Sequence, residues 1–559
     1  MIGSEWEEET SRRIRKGFSP MFRRVLEMNC VSRNGGNIMK IKVLLIVVIV
    51  LGAFPWLVGQ EQEIVSLTLE DCILKAMEGN LQVAVEEYEP RLADASVMQA
   101  KGIFLPQFDL SYGKNNTESP SYWWLQGEEN IESRFSDYTV KISQLIPTGG
   151  NVSLSWDGYR SETNEGFQLI NPRYGSTLEF EFTQPLLKNF GMRISRKEIL
   201  IARNNRDISR SQFRTLLMDT IYSVQESYWN LVYAIEDYKV KQRSLQLARD
   251  LLAKNRREVE VGKLAPLEIL NAETEVAQRE ADILQAAALI KSREDMLKNI
   301  LNLMEGEGPD LRKIRPLDDP RFNPFEITLA GAVETALINR PDLKADRTQM
   351  ETRSLNVDVA KNQMLPGLDL TFSYWSPGIS GDRILYLNGD PFLGIVIGKE
   401  KGKASQAARD AFRNLYTNWS VGLTLSVPLS HLLNRSEVVK AQMELEQGRL
   451  ELEGRKKQII LEIRDAVRAV ETNAKRVKAY RLARELAERR LRAEEKKLSV
   501  GLATNYFVLQ YQEESANARS MEIKALVDYN LALAQYEKAA GISLLNRNIK
   551  ISRFEDKRD

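Results

Sequence analysis

Thr177-Leu178-Glu179-Phe180-Glu181-Phe182-Thr183-Gln184-Pro185 alternates polar and apolar side chains at nearly every step. An extended backbone turns successive side chains to opposite faces, so this stretch reads as a strand with one dry and one wet side. Leu368, Leu370, Phe372 and Tyr374 interleave in the same way with Asp369, Thr371 and Ser373, and Trp419, Val421, Leu423, Leu425 and Val427 with Ser420, Gly422, Thr424 and Ser426. Phe108, Leu110 and Tyr112 begin a similar run. The predicted strands are 106–115, 137–145, 151–158, 176–184, 367–375 and 418–427. About ten residues of this rhythm suit an outer-membrane barrel, apolar side to lipid and polar side to an aqueous lumen. A soluble sheet covered on one face shows the same alternation, so the surrounding sequence has to decide.

The amino-terminal part reads as an address. Met39, Lys40, Ile41 and Lys42 precede the apolar run from Val43 to Phe54, and Leu57-Val58-Gly59 closes it. This pattern predicts a secretory signal peptide within 1–59, cleaved near Gly59, with translation starting at Met39 and residues 1–38 upstream of it. No later stretch is apolar for the roughly 20 residues a spanning helix needs, so a membrane location requires strands.

The remainder repeats itself. Thr68-Leu69-Glu70-Asp71 opens a helical pattern that reaches Leu105-Pro106, and Thr328-Leu329-Ala330-Gly331 opens another that reaches Leu365-Pro366. Gln184-Pro185-Leu186-Leu187 is answered by Val427-Pro428-Leu429-Ser430, and Val261-Gly262 by Val500-Gly501. The expected organisation is a first unit over 66–316, a linker over 317–326 marked by Pro320 and Pro324, a second unit over 327–545, and a polar tail over 546–559.

Between the strands the hydrophobic period becomes helical. Leu217, Ile221, Val224, Tyr228, Leu231, Ile235 and Tyr238 fall at steps of four and three, as do Ile460, Ile463, Val467, Val470, Ala474 and Val477. Steps that average three and a half make the seam of a coiled coil. Helical patterns over 190–261 and 430–499 are each about 105 Å long at 1.5 Å per residue. The four shorter ones, 67–102, 266–304, 327–364 and 505–541, are half that length, so a stacked pair matches one long rod. The far tips then lie at Gly262 to Pro266 and at Gly501 to Asn505, with Thr504 between. Pro106, Pro185, Pro366 and Pro428 each stand where the period changes, as a residue that cannot continue a helix should.

Composition removes other classes of function. The chain has 559 residues with 78 Lys+Arg against 77 Asp+Glu, one His and two Cys. Near-zero net charge argues against nucleic acid as a partner. The solitary His431 and the pair Cys30 and Cys72 supply neither a multi-histidine metal site nor a redox motif, so no cofactor and no enzymatic relay is expected.

The doubled unit, with Leu67-Thr68-Leu69-Glu70-Asp71, Phe104-Leu105-Pro106-Gln107-Phe108, Gln184-Pro185-Leu186-Leu187, both Val-Gly tips and Leu365-Pro366-Gly367-Leu368, resembles the TolC family of outer-membrane efflux proteins over nearly all of 66–545. The resemblance implies a mainly α fold with transmembrane β: a homotrimer in which each copy gives four strands to a shared 12-stranded barrel and four helical stretches to a periplasmic α-barrel. It further implies an exit duct that docks through the tip residues Gly262, Pro266, Gly501, Thr504 and Asn505 to a periplasmic adaptor protein, with an inner-membrane pump supplying energy. The alternative is a secreted structural or adaptor coiled-coil protein with a small soluble β-domain; paired hairpins with strands at matching positions fit it poorly.

Departures from the family pattern carry expectations of their own. Six strand candidates exceed four by the hairpin 137–158, which turns at Pro147-Thr148-Gly149-Gly150 and either extends from the barrel rim or takes the place of another of the predicted strands. Residues 376–417 form a glycine-rich insertion, expected as an extracellular loop. Some family members carry two aspartates after the second tip as acidic rings; Phe507 and Gln510 stand there in this chain, with Glu268 and Asn271 in the first unit. Glu268, Phe507 and Gln510 are therefore the candidate constriction. The plainer reading packs Phe507 in the helix seam and leaves Glu268 as a solvated first-turn residue.

Overall fold

A computed structural model of the chain describes residues 64–123, 126–303, 312–430, 432–500 and 502–549. The leader expected over 1–59, the start at Met39, His431 and the end of the tail lie outside these residues. A short strand, β1 (Ile64–Leu67), leads into α1 (Leu69–Gly79). Thr68 starts that helix reciprocally: its hydroxyl accepts the Asp71 amide at 3.1 Å, and the Asp71 carboxylate accepts the Thr68 amide at 3.1 Å. Asn80 ends α1, and its Oδ1 accepts the amides of Gln82 and Val83 to start α2 (Leu81–Glu86), followed by α3 (Tyr88–Gly102). The helical pattern read over 67–102 is thus three helices, because an extended Asn serves the backbone better as a cap than within a turn.

Four strands follow in a meander: β2 (Gln107–Pro120), β3 (Asn130–Leu145), β4 (Asn151–Thr163) and β5 (Ile170–Pro185). Beyond them come a single turn, α4 (Met192–Ser195), the 64-residue α5 (Lys197–Glu260) and α6 (Leu267–Ile300). After β6 (Lys313–Pro316), the chain forms α7 (Leu329–Asn339) and α8 (Pro341–Gln363), divided where Pro341 forbids continuation. Then come β7 (Gly367–Tyr386), β8 (Val396–Glu400), α9 (Ala404–Phe412) and β9 (Asn418–Ser426). The 68-residue α10 (Leu432–Ser499), α11 (Asn505–Ala539) and α12 (Ser543–Asn546) complete the described chain.

The helices lie side by side in a layer four across. Nearest the sheet the order is α3, α5, α8, α10; towards the tips it is α6, α5, α11, α10. The heptad residues form the seams: Ile221, Val224, Tyr228 and Leu231 of α5 are fully buried, as are Ile463 and Val477 of α10. Each long helix fills a separate core, one with α1 and Leu297 of α6, the other with α7 and Tyr529 of α11. The linker is strapped across both. Tyr228 Oη donates to the Asp318 carboxylate at 2.9 Å, Tyr529 Oη donates to the Asn323 carbonyl at 2.6 Å, and β1 pairs in parallel with β6.

The main sheet is antiparallel in the order β2-β3-β4-β5-β7-β9, with β8 beside the outer end of β7. The hairpin read over 137–158 is therefore inside the wall, longer than expected, and the sheet has six strands in a row. The insertion read as a loop over 376–417 is partly strand and helix. β7 runs on to Tyr386 although its apolar rhythm ends near Trp375, because Ser376, Gly378 and Ser380 face α9 instead of lipid. A Cβ on Gly378 would collide with the backbone of Ala407 and Ala411, so the helix lies flat on the strand.

Candidate functional site

One row of side chains crosses all six strands on one face: Phe108, Ile142, Leu154, Phe180, Tyr374 and Trp419 are consecutive cross-strand partners. The adjacent row on the opposite face is Gln107, Ser143, Ser153, Glu181, Ser373 and Ser420. The pleat keeps the two sets apart, and five of the six apolar side chains are exposed, from Phe180 at 36% to Trp419 at 69%, with Tyr374 half-buried. Exposed apolar side chains on one whole face of a polar-backed sheet suit a lipid boundary.

Sheet and helices meet at the four prolines. Pro106 and Pro366 immediately precede β2 and β7, Pro185 ends β5, and Pro428 follows β9. The β3–β4 turn is held at this junction. Gly191 donates its amide to the Thr148 carbonyl at 3.1 Å, Thr148 Oγ1 donates to Gln184 Oε1 at 2.7 Å, and Ser195 Oγ donates to the Pro147 carbonyl.

At the opposite end each long helix reverses into a half-length partner. Gly262, at φ +73°, follows the last turn of α5; its amide reaches the Val259 carbonyl at 2.9 Å and that of Lys263 the Glu258 carbonyl at 2.8 Å. Only a residue without Cβ takes this left-handed position cheaply. Pro266 then precedes α6. At the second tip the Leu502 amide bonds the Lys497 carbonyl at 2.9 Å and Thr504 precedes α11; Gly501 lies outside the described residues.

Of the candidate constriction residues, Glu268 is half-buried in the first turn of α6, while Phe507 and Gln510 are exposed on α11. Phe507 is not in the seam of its own copy. Val508 and Leu509 fill that seam, while Phe507 stays 42% exposed with its ring 5.6 Å from Tyr506 and 6.3 Å from Tyr511. Asn505 is buried with Oδ1 unpartnered, as is Asn255 of α5, whose Nδ2 donates to the Glu268 carbonyl at 3.3 Å.

Arg279 is a tip residue that the sequence reading passed over. It is 5% exposed and donates to the Ser244 carbonyl at 2.9 Å, the Leu509 carbonyl at 3.1 Å and Gln512 Oε1 at 3.4 Å, so one side chain ties α6 to both α5 and α11. Burial lowers its pKa from the ordinary value, opposed by Glu275, Glu513 and Asp282. Its signal was heptad spacing: Ala272 and Ala286, seven residues either side, are buried seam positions.

Both lateral flanks of the molecule are open. β2 and β9 end the row of paired strands. On the same two sides α3 exposes Leu92 and Met98, α6 exposes Leu270 and Leu284, and α10 exposes Leu433, Met443 and Leu450.

The family profile described as "Outer membrane efflux protein" matches residues 73–303 and 332–542. The chain belongs to the outer membrane efflux protein family. This outer membrane efflux protein is 21% identical to the alkaline protease secretion protein AprF of Pseudomonas aeruginosa, over 70% of this chain and 75% of that one. It is 24% identical to the pyoverdine export outer membrane protein OpmQ of Pseudomonas putida, over 61% of this chain and 67% of that one. Its fold matches the Campylobacter jejuni CmeC outer membrane channel with a TM-score of 0.60 at 16% identity, covering 89% of this chain and 95% of that one. This efflux protein is an outer-membrane exit channel with its helices in the periplasm, and the alternative of a secreted adaptor is set aside.

Proposed function

We propose that the protein works as a homotrimer, a passive water-filled duct that performs no bond chemistry and takes its energy from an inner-membrane pump. The observation that carries this reading is the pair of open flanks, which run through strand layer and helix layer on the same two sides. A wall with bare strand edges and exposed leucines on both flanks is stable only when copies close into a ring. The tip turns around Gly262, Pro266, Gly501, Thr504 and Asn505 would meet a periplasmic adaptor, and Glu268, Phe507 and Gln510 would line the narrowest point.

Opening then means separating the α5–α6 hairpin from the α10–α11 hairpin, which requires a partner that favours the parted state. The seam is built to yield. Each buried amide oxygen without a partner costs about 1–3 kcal/mol, and Arg279 is the polar tie across it nearest the tips, with Ser520–Asp237 and Lys538–Asp219 crossing further along. Purified protein in a planar bilayer is expected to give stable single-channel currents, and Arg279→Ala to raise the open fraction at least several-fold. Absence of currents from both the intact protein and the variant would refute the duct; unchanged gating in the variant would refute the tie.

A further inference from the structure

The strand count of the wall changes what a ring of these chains encloses. Four strands per copy would give three copies twelve strands, but this chain lays six in one sheet. The additional pair, β3 and β4, is integral to it. β3 pairs with β2 from Gln107↔Ser143 to Pro120↔Asn130, and β4 pairs with β5 from Asn151↔Thr183 to Ser161↔Arg173. Ile142 and Leu154 of the added pair carry the apolar row across without interruption, while Ser143 and Ser153 continue the polar one. The turn between them is bonded at the helix junction through Thr148 rather than projecting from the rim.

We propose that three copies of this chain close an eighteen-stranded barrel, with β9 of each copy pairing along β2 of the next. This rests on the three-copy duct proposed above. Antiparallel strands in even number bring β9 and β2 together running in opposite directions, so closure leaves no edge.

The perimeters agree with this count. Eighteen strands about 4.8 Å apart and tilted about 40° span about 110 Å around the wall, whereas twelve span about 75 Å. The four helices found at each level of one chain make twelve in three copies, and at about 9 Å between axes these also span about 110 Å. An eighteen-stranded wall meets the helical tunnel at the same width, without a funnel at the junction. Its diameter is about 1.5 times that of twelve strands at the same tilt. Barrels of 16–18 strands hold an open aqueous channel. The membrane section therefore sets no limit on cargo below that of the helical tunnel, and selection by size falls to the tips.

An electron-microscopy reconstruction of the purified full-length protein in lipid nanodiscs is the test. Three copies, twelve helices around the tunnel and eighteen strands in the wall are expected. Three copies with a twelve-stranded wall and 130–163 outside it would overturn this proposal while leaving the duct intact. A single copy, or a ring of another number, would overturn the three-copy reading itself. Cysteine labelling in outer-membrane vesicles supplies a second readout. Ser155→Cys is expected to react with a membrane-impermeant maleimide at least tenfold faster than Leu154→Cys, since Ser155 faces the lumen and Leu154 the lipid. Equal rates would place the hairpin in water on both faces and reject the wall.

Discussion

Cys72 shows what this fold does to a single side chain. It is fully buried beside α5, and burial pushes its thiol up from an ordinary value of 9.0 to about 12, with Asp71 and Asp318 adding to the effect. An unfolded chain ionises this thiol near 9, but the folded chain holds it neutral until about 12. The neutral thiol therefore favours the fold fully below pH 9, and that contribution is lost as pH rises towards 12. At about 1.4 kcal/mol per unit, the loss is of the order of 4 kcal/mol at the upper end. Melting temperature is expected to fall more steeply above pH 9 in the wild type than in Cys72→Ala, and the native protein should resist thiol reagents at neutral pH. Equal slopes for the two proteins, or rapid native labelling, would contradict it.

At the scale of elements, β7 and α9 form a contact that the alternation of side chains did not announce. Period two reports which side chains share a face, but not which strand lies next door or what covers that face. Phe372 and Tyr374 were legible because lipid selects apolar residues; Ser376, Gly378 and Ser380 looked like loop because a helix needs small residues beneath it. The β3–β4 hairpin was readable as two strands, yet its place in the wall depended on long-range pairing with β2 and β5 that no local pattern encodes. Most of the seams of α5 and α10 could be read from the heptad, although Ile235, Tyr238, Ile460 and Ala474 are only half-buried while Ala234 and Ile459 are buried. Arg279 and Asn255 broke the apolar rule within that pattern and so went unnoticed. Gly378→Val drives a side chain into the Ala407 carbonyl, and overpacking of this kind costs about 1–3 kcal/mol. The expected result is faster proteolysis within 387–417 with little change in heat stability of the helices. A variant cleaved at the wild-type rate would show that α9 does not depend on this contact.

For the whole molecule, the polar face of the sheet sets the electrostatics of the duct. Asp109, Asp137, Asp157, Glu179, Glu181 and Asp369 share the face of the Gln107–Ser420 row, against the basic residues Lys141, Arg173 and Arg383 at positions of the same parity. A ring of identical copies multiplies that imbalance around one water-filled lumen, where low-dielectric walls focus the field. Acidic rings of this sort concentrate cations and repel anions, an effect screened over about 10 Å at 0.1 M salt. Single channels in a tenfold potassium chloride gradient are therefore expected to reverse on the cation-selective side, and more strongly at low ionic strength. Removing two charges per copy with Glu179→Gln and Glu181→Gln is expected to move the reversal potential towards zero while leaving the helical tips untouched. Anion selectivity in the wild type would mean that the face assigned to the lumen is turned to something else. An unchanged reversal potential in the double variant would place the selective step at the tips, where Glu268 is the acidic residue of the candidate constriction.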